Sequence, residues 1–363
     1  IMQIINKLVT ISKVYIFFIS FVLFIIFFST SFLKADNFKV SNVEISSPFD
    51  TKFNKNRVIN EGFVNSFFNL ISMITTSGDK EKIKKVSQKQ IKSMIDSFTI
   101  SDEKFINNEY FAKLETVFNK KKILFFLEKK NIFPSISTKN KVLLIPILVD
   151  AENDKIYLYT DNIFYQKWND FYNDYNLLEY LLPSEDIEDL YSLQKLSTSI
   201  EDYDFLDLIN KYDLKDYIIS IIFKNRDNIK VLSKIYLNNS LKLDNRNFEK
   251  IDLKNEKDYE YIVEELKITF EDYWKKNNQI NTSIKLPLTL SINSKEYKKI
   301  AKLEKYLDNN NLVSDYYILH FDNENIFFKI IYNGSPKKFI IDIDKKDIEL
   351  EISENFWRIK WKT

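Results

Sequence analysis

Cysteine is absent from this sequence, and with it go thiol nucleophiles, disulfide frameworks, thiolate metal sites and a lipid-modified cysteine behind an export signal. A single histidine, His320, excludes any site built from two or more imidazoles, the common zinc hydrolase arrangements included. Glycine occurs only at Gly62, Gly78 and Gly334, so the glycine-rich phosphate loops of nucleotide-binding folds cannot be written either. No cofactor is expected, and neither a catalytic nor a metal-binding residue stands out.

Charge of one sign is lacking too. The 53 basic and 52 acidic side chains of the 363-residue chain nearly cancel to a formal +1, which leaves no overall field to steer it toward nucleic acid. Arginine is confined to Arg57, Arg226, Arg246 and Arg358, while Lys, Asn, Ile, Phe and Tyr abound. These are residues of AT-rich codons, and such a shift alters surface chemistry without specifying a function.

Charges are also missing from the run Val14–Leu33, which follows Lys7 and Lys13. It exceeds the ~7–15 apolar residues of an ordinary signal core and matches the ~20 needed to span a bilayer. Cleavage after Ala35 would place Leu33 where a small residue is preferred. Residues 1–35 are therefore expected to be a signal peptide or a transmembrane anchor. The basic residues ahead of the run favour an inside amino terminus, so the remainder is expected to be periplasmic, soluble after cleavage or tethered to the inner membrane.

Beyond the leader the patterns predict an α/β (α+β) chain of several small mixed units. The first, 36–135, reads β-α-α-β-β-α: a strand over 38–45, a helix carrying Ile59, Phe63, Phe67, Leu70, Ile71 and Ile74 on one stripe, a second helix over 80–95 with Asp79 as its cap, a strand pair over 97–106 and 110–118, and a helix over 120–130. A polar link with Pro134 precedes the second unit, 141–280. That unit opens on the apolar strand 142–149, continues through helices near 164–171, 184–196 and 200–212 and a hairpin over 217–223 and 230–237, and ends in an amphipathic helix over 256–276. The third unit, 281–363, reads βαββαβ, a ferredoxin-like order with one last strand over 348–361. Asn333-Gly334-Ser335-Pro336 fits it: Gly334 for the turn, Ser335 as cap and Pro336 at the first helical position.

Four clusters invite a chemical reading. His320 ends a strand with neither a nucleophile nor a metal site beside it, which suits a structural or surface role. Glu185, Asp186, Glu188 and Asp189 could supply paired carboxylates, but Ile187, Leu190, Leu193 and Leu196 interleave with them and put the acids on the solvated face. Asp202, Asp204, Asp207 and Asp213 mimic a calcium loop, yet Leu206 fills a ligand position and Asp207 the place of the required glycine. Trp168, Trp274, Trp357 and Trp361 either line a groove or pack in cores and rims.

Laid in order, four stretches resemble a bacterial envelope family known only as domain of unknown function 2066. They are Lys141-Val-Leu-Leu-Ile-Pro-Ile-Leu-Val-Asp150, the segment 162–171 with Trp168, Tyr180-Leu-Leu-Pro-Ser-Glu-Asp-Ile-Glu-Asp-Leu190, and Tyr332-Asn-Gly-Ser335 with the Trp-bearing final strand. The likeness spans most of the chain after the leader and rests on packing and turn signatures. The family's first helices are rich in Ala and Arg, where Lys, Asn and Phe stand here. The resemblance implies a signal peptide and an extracytoplasmic location, and supplies no reaction, cofactor or catalytic residue.

The expected function is that of an exported, non-enzymatic periplasmic interaction or accessory module. Its expected partners are another envelope protein and, through an uncleaved leader, the inner membrane, with no nucleic acid. Contacts are expected at exposed sheet edges and at Trp168, Trp357 and Trp361. The alternatives are a carboxylate-dependent hydrolase acting on a cell-wall or sugar substrate through Glu185 and Asp189, and a lipid or small-ligand binding module, which requires a largely apolar pocket of several hundred cubic ångströms.

Overall fold

Apolar side chains three and four residues apart make helix α1 (Lys55–Ile74), and Asn54 fixes its start by accepting the Arg57 N–H at 3.1 Å. In the computed structural model the described residues are 38–171, 175–195, 199–353 and 355–362, so the expected leader lies outside them. Helix α1 lays Phe63, Phe67, Leu70, Ile71 and Ile74 on an antiparallel sheet of β1 (Lys39–Pro48), β3 (Glu109–Phe118) and β2 (Ile95–Ile106), in the order β1-β3-β2. Each buried side chain of this size contributes about 1.5–3 kcal/mol. The second helix expected over 80–95 is broken into α2 (Lys80–Ile83) and α3 (Gln88–Ser93), because Ser87 turns extended and caps the Gln90 N–H. Asp79 makes no side-chain cap, and Ile95 already belongs to β2. Helix α4 (Lys120–Glu128), capped by Asn119, closes this part.

Strand β4 (Asn140–Asp150) is buried at every position from Val142 on, since both of its faces are covered. Val142, Leu144 and Leu148 join the core under helix α8 (Glu256–Asn277), whereas Leu143, Ile145, Ile147 and Val149 join one made by shorter helical segments. Two cores fed by alternate residues explain why the run shows no polar alternation. β4 is flanked on one side by β7 (Tyr217–Asn225), in parallel. Along its other edge β6 (Leu178–Leu181) pairs with its start in parallel and β5 (Lys155–Tyr157) with its end antiparallel. Strands β8 (Asn228–Leu237) and β9 (Ser240–Phe248) complete the sheet. Neither β6 nor β9 follows from the sequence reading. The helical segments are α5 (Ile163–Lys167), α6 (Ile187–Gln194) and α7 (Leu206–Ile209); the last two are shorter than expected, and α6 is capped by Asp186 rather than started by Pro183-Ser184.

The third sheet runs β11 (Val313–Phe321), β12 (Asn325–Tyr332), β10 (Leu286–Asn293), β14 (Trp357–Trp361), β13 (Ile348–Ile352). Helices α9 (Tyr297–Asn309) and α10 (Pro336–Asp344) contribute to its core, and Ser335 caps α10 with Pro336 in its first turn as read. The β10, β11 and β12 arrangement is the split βαββ of the ferredoxin-like order. Its end is elaborated: the strand expected over 348–361 is a hairpin whose second arm, β14, lies parallel to β10. Residues from 38 on hold together as one compact body. No helix among the described residues is long and apolar enough to cross a membrane.

Gly62 is where α1 comes closest to the sheet. A Cβ there would stand 2.8 Å from both Ile45 Cγ2 and Leu114 Cδ2, side chains that are themselves buried. Gly62→Ala is expected to lower the unfolding free energy by about 1–3 kcal/mol through overpacking, as read from urea denaturation midpoints at unchanged m-value.

Candidate functional site

The acidic run takes a structural part. Asp186 accepts the backbone N–H of Glu188 and Asp189, and its carboxylate shares Lys211 with that of Asp189, each 2.7 Å from the ammonium. The Lys211 hydrogen bond first, and the backbone donors after it, hold the Asp186 carboxyl below the ordinary carboxylate range, opposite to what a general acid needs at neutral pH. In the aspartate-rich segment, Asp204 accepts the Leu206 N–H beside α7. Among the described residues no group of three or more His, Cys, Asp or Glu is set to hold a metal. His320 is exposed and stacks on Phe327 at 4.2 Å between ring centroids.

The tryptophans divide. Trp168 is 0% exposed and stacked on Phe270 inside the core beneath α8, so the expectation that it meets a partner is corrected: its ring fills the middle unit. Trp274 is buried as well. Trp357 and Trp361 are half-buried against the core of the third sheet, and Lys302 lies over the Trp361 ring at 4.6 Å.

Two features escaped the sequence reading. The first is a buried charged row on α8. Lys267, Glu271 and Lys275 recur every four residues and are 4–6% exposed. The Lys267 ammonium donates to the carbonyls of Trp168 and Phe171 at 2.7 and 2.6 Å, and the Glu271 carboxylate accepts the N–H groups of Leu177 and Leu178. Lys275 lies 3.6 Å from Glu271 and donates to the Ser72 carbonyl on α1 at 2.6 Å. Beside them Asp272 accepts both the N–H and the hydroxyl of Ser77. These groups border a cleft of about 170 Å³, but each contact holds protein to protein. Burial pushes the Glu271 carboxyl up, against the pull of Lys275 and the two N–H donors, and pushes the Lys275 ammonium down. The spacing was legible; it sits one position beyond the apolar stripe Leu266, Phe270 and Trp274.

The second feature is a groove of about 550 Å³ between α4 and the third sheet. Leu124 and Phe125 of α4 face Ile331 of β12 across it. Two ion pairs bridge the same walls, Lys121 to Asp315 at 2.6 Å and Lys285 to Glu128 at 2.8 Å. Thr282 and Asn333 also line it and are 3% and 4% exposed. The Asn333 amide donates to the Ile284 carbonyl at 2.7 Å, while its Oδ1 and the Thr282 Oγ1 have no hydrogen-bond partner. An orphaned buried acceptor costs about 1–3 kcal/mol, and both atoms are sealed from the groove's solvent.

No protein-family model matches the chain, and a search of curated proteins returns no match.

Two predictions follow from the charged row. Glu271→Ala leaves Lys275 buried without its counter-ion and is expected to destabilise the fold by about 3–5 kcal/mol in urea unfolding. Burial also pushes Lys267 down to about 8, against the opposing pull of Glu264, Glu271 and Asp170, whereas an unfolded lysine titrates near about 10.4. Across that window the unfolded state binds more protons, so stability rises with pH, and the neutral amine keeps two N–H groups for its two carbonyls. The stability difference between the protein and Lys267→Met, measured at steps from pH 7 to 10, is expected to grow in favour of the unmodified protein.

Proposed function

We propose that this chain is an exported, non-enzymatic accessory protein of a bacterial envelope that binds a small amphiphilic molecule in the groove between α4 and the third sheet. The observation that carries this reading is the groove itself. Its volume falls in the ~300–1,000 Å³ range of ligand sites, and its accessible surface is mostly apolar, from Leu124, Phe125, Ile331 and the stems of the charged residues around them. Of the two acids that the hydrolase reading names, Asp189 is held by Lys211 and Glu185 is exposed, which favours binding over hydrolysis. The uncharged run Val14–Leu33 and the resemblance to the envelope family support export.

A naphthyl-amine probe and a medium-chain fatty alcohol serve as test ligands, the alcohol pairing an apolar chain for Leu124, Phe125 and Ile331 with a polar end for the charged rim. The alcohol is expected to displace the probe. Phe125→Asp, on a side chain already 55% exposed, is expected to weaken binding by about tenfold to a hundredfold, the effect of losing one large apolar contact. Equal probe binding by the protein and Phe125→Asp would overturn the groove as the site. Recovery of the chain in the cytoplasmic fraction of its own cells would overturn export.

The open edge of β11 favours a second reading, in which an extended segment of another envelope protein adds to the third sheet. Ile318, Leu319 and Phe321 are 51%, 46% and 78% exposed along that edge. A photo-crosslinking residue at position 319 is expected to trap one protein in cells. That protein, once purified, should bind the chain and lose affinity to Leu319→Asp/Phe321→Asp; undiminished binding by the double variant removes this reading.

A further inference from the structure

We infer that a second groove, between the end of α8 and helices α9 and α10, binds an acidic saccharide, a short chain of sugars bearing carboxylate or phosphate groups. Its volume is about 710 Å³. Five lysines line it, Lys302, Lys305, Lys338, Lys345 and Lys346, against the one acid Asp342. That acid is engaged by its own unit, its Oδ2 accepting the Tyr332 hydroxyl at 2.9 Å.

Lysine is abundant everywhere in this chain, so the number of lysines alone decides nothing. The pairing does. Over the whole chain 53 basic residues face 52 acidic ones, and elsewhere in the third unit Lys299, Lys360 and Lys362 each hold a carboxylate within 3.0 Å. Lys338, Lys345 and Lys346 have no such partner among the described residues, although all three are exposed. Lys338 and Lys345 lie along one edge of α10 with Asp342 between them, so with Lys302, Lys305 and Lys346 the groove carries five cations against one carboxylate. A concave wall of net positive charge concentrates counter-charge.

Amides make up much of the rest of the lining. Asn277, Asn278 and Gln279 at the end of α8 face Asn309 and Asn310 at the end of α9, with Tyr306 between charge and core. Side-chain amides carry two donor hydrogens and an acceptor; Asn278, Asn309 and Asn310 each donate once within the protein, Asn310 to the Tyr306 hydroxyl, which leaves each a second amide hydrogen for a sugar hydroxyl. The groove has no arginine fork for an isolated phosphate and no row of aromatic rings for unpaired bases. A concave, amide-lined, lysine-edged surface suits a hydroxylated anion better than either.

The test titrates the full chain calorimetrically with hexagalacturonate, a phosphate-bearing oligomannoside, neutral maltohexaose and a hexaglutamate peptide. At least one of the two acidic saccharides is expected to bind, more weakly as salt rises because exposed charges are screened, and the neutral sugar is not. Lys338→Gln/Lys345→Gln/Lys346→Gln, at exposed positions, is expected to keep its circular dichroism spectrum and to lose about tenfold to a hundredfold in affinity. Three results would each overturn the inference: binding of neither acidic saccharide, unchanged affinity in the folded triple variant, or hexaglutamate binding as tightly as the saccharides.

Discussion

One helix holds this molecule together, and it does so with charge. Helix α8 buries an ordinary apolar stripe on the middle sheet, but Lys267, Glu271 and Lys275 beside it reach three different pieces of backbone: the turn around Trp168, the entry to β6, and α1 of the first unit. Desolvating three ionised groups is unfavourable unless each finds a partner, and here the partners are mostly backbone atoms that have no intrahelical bond of their own. The arrangement therefore specifies more than it stabilises. A helix turned by one residue, about 100°, would lift the apolar stripe off the sheet and strand all three charges as well, so apolar burial and polar partners set register and docking angle together.

Scarcity of glycine imposes a second constraint, and the turns show how it is met. Among the described residues every left-handed backbone position belongs to a residue other than glycine, mostly Asn or Asp. The two-residue hairpin loops at Asn107-Asn108 and Asn238-Asn239 have positive φ at both positions, the geometry usually served by Asn-Gly. Asparagine reaches it because its short amide can hydrogen-bond locally. Two of the three glycines stand instead where a Cβ would collide, Gly62 against Ile45 and Leu114 and Gly334 against the Tyr332 ring at 2.7 Å. Gly334 is thus needed for close approach and not for the left-handed turn its position suggests. Part of the asparagine content that looks like compositional drift does structural work.

How much of this was legible depends on what each element packs against. Helices α1 and α8 and strand β4 bury one consistent face or both, so apolar spacing reveals them. β9 does the reverse: Lys242, Asp244 and Arg246 turn inward to Tyr273 and Glu265 while Leu241 and Leu243 are 61% and 70% exposed. Its alternation is real but inverted, a known guard on edge strands, and a reading that assigns apolar to inside loses it. The final hairpin reads as one strand because β13 and β14 differ in pairing and not in composition. The charged row of α8 and both grooves were hidden for another reason. Each depends on side chains from segments far apart in sequence, and no local pattern says which lysine will meet a carbonyl and which will face water.

Packing within each unit is dense. Each sheet closes its core with its own helices, and the largest side chains, Trp168, Phe67 and Phe339 among them, leave no room inside. Two cavities of ligand size, of about 550 and 710 Å³, border the third unit, where walls from distant segments meet, and another of about 760 Å³ lies on the first sheet. Across the apolar groove those walls are joined by Lys121–Asp315 and Lys285–Glu128, pairs whose lysines are 67% and 50% exposed. Exposed pairs of this kind contribute only about 0–1 kcal/mol each. A groove spanned by weak, water-facing latches can open to admit an apolar body and close over it at small cost, whereas the cleft at the α8 row, laced by buried charge, cannot. Buried charge and exposed ion pairs are thus assigned to different seams of one body.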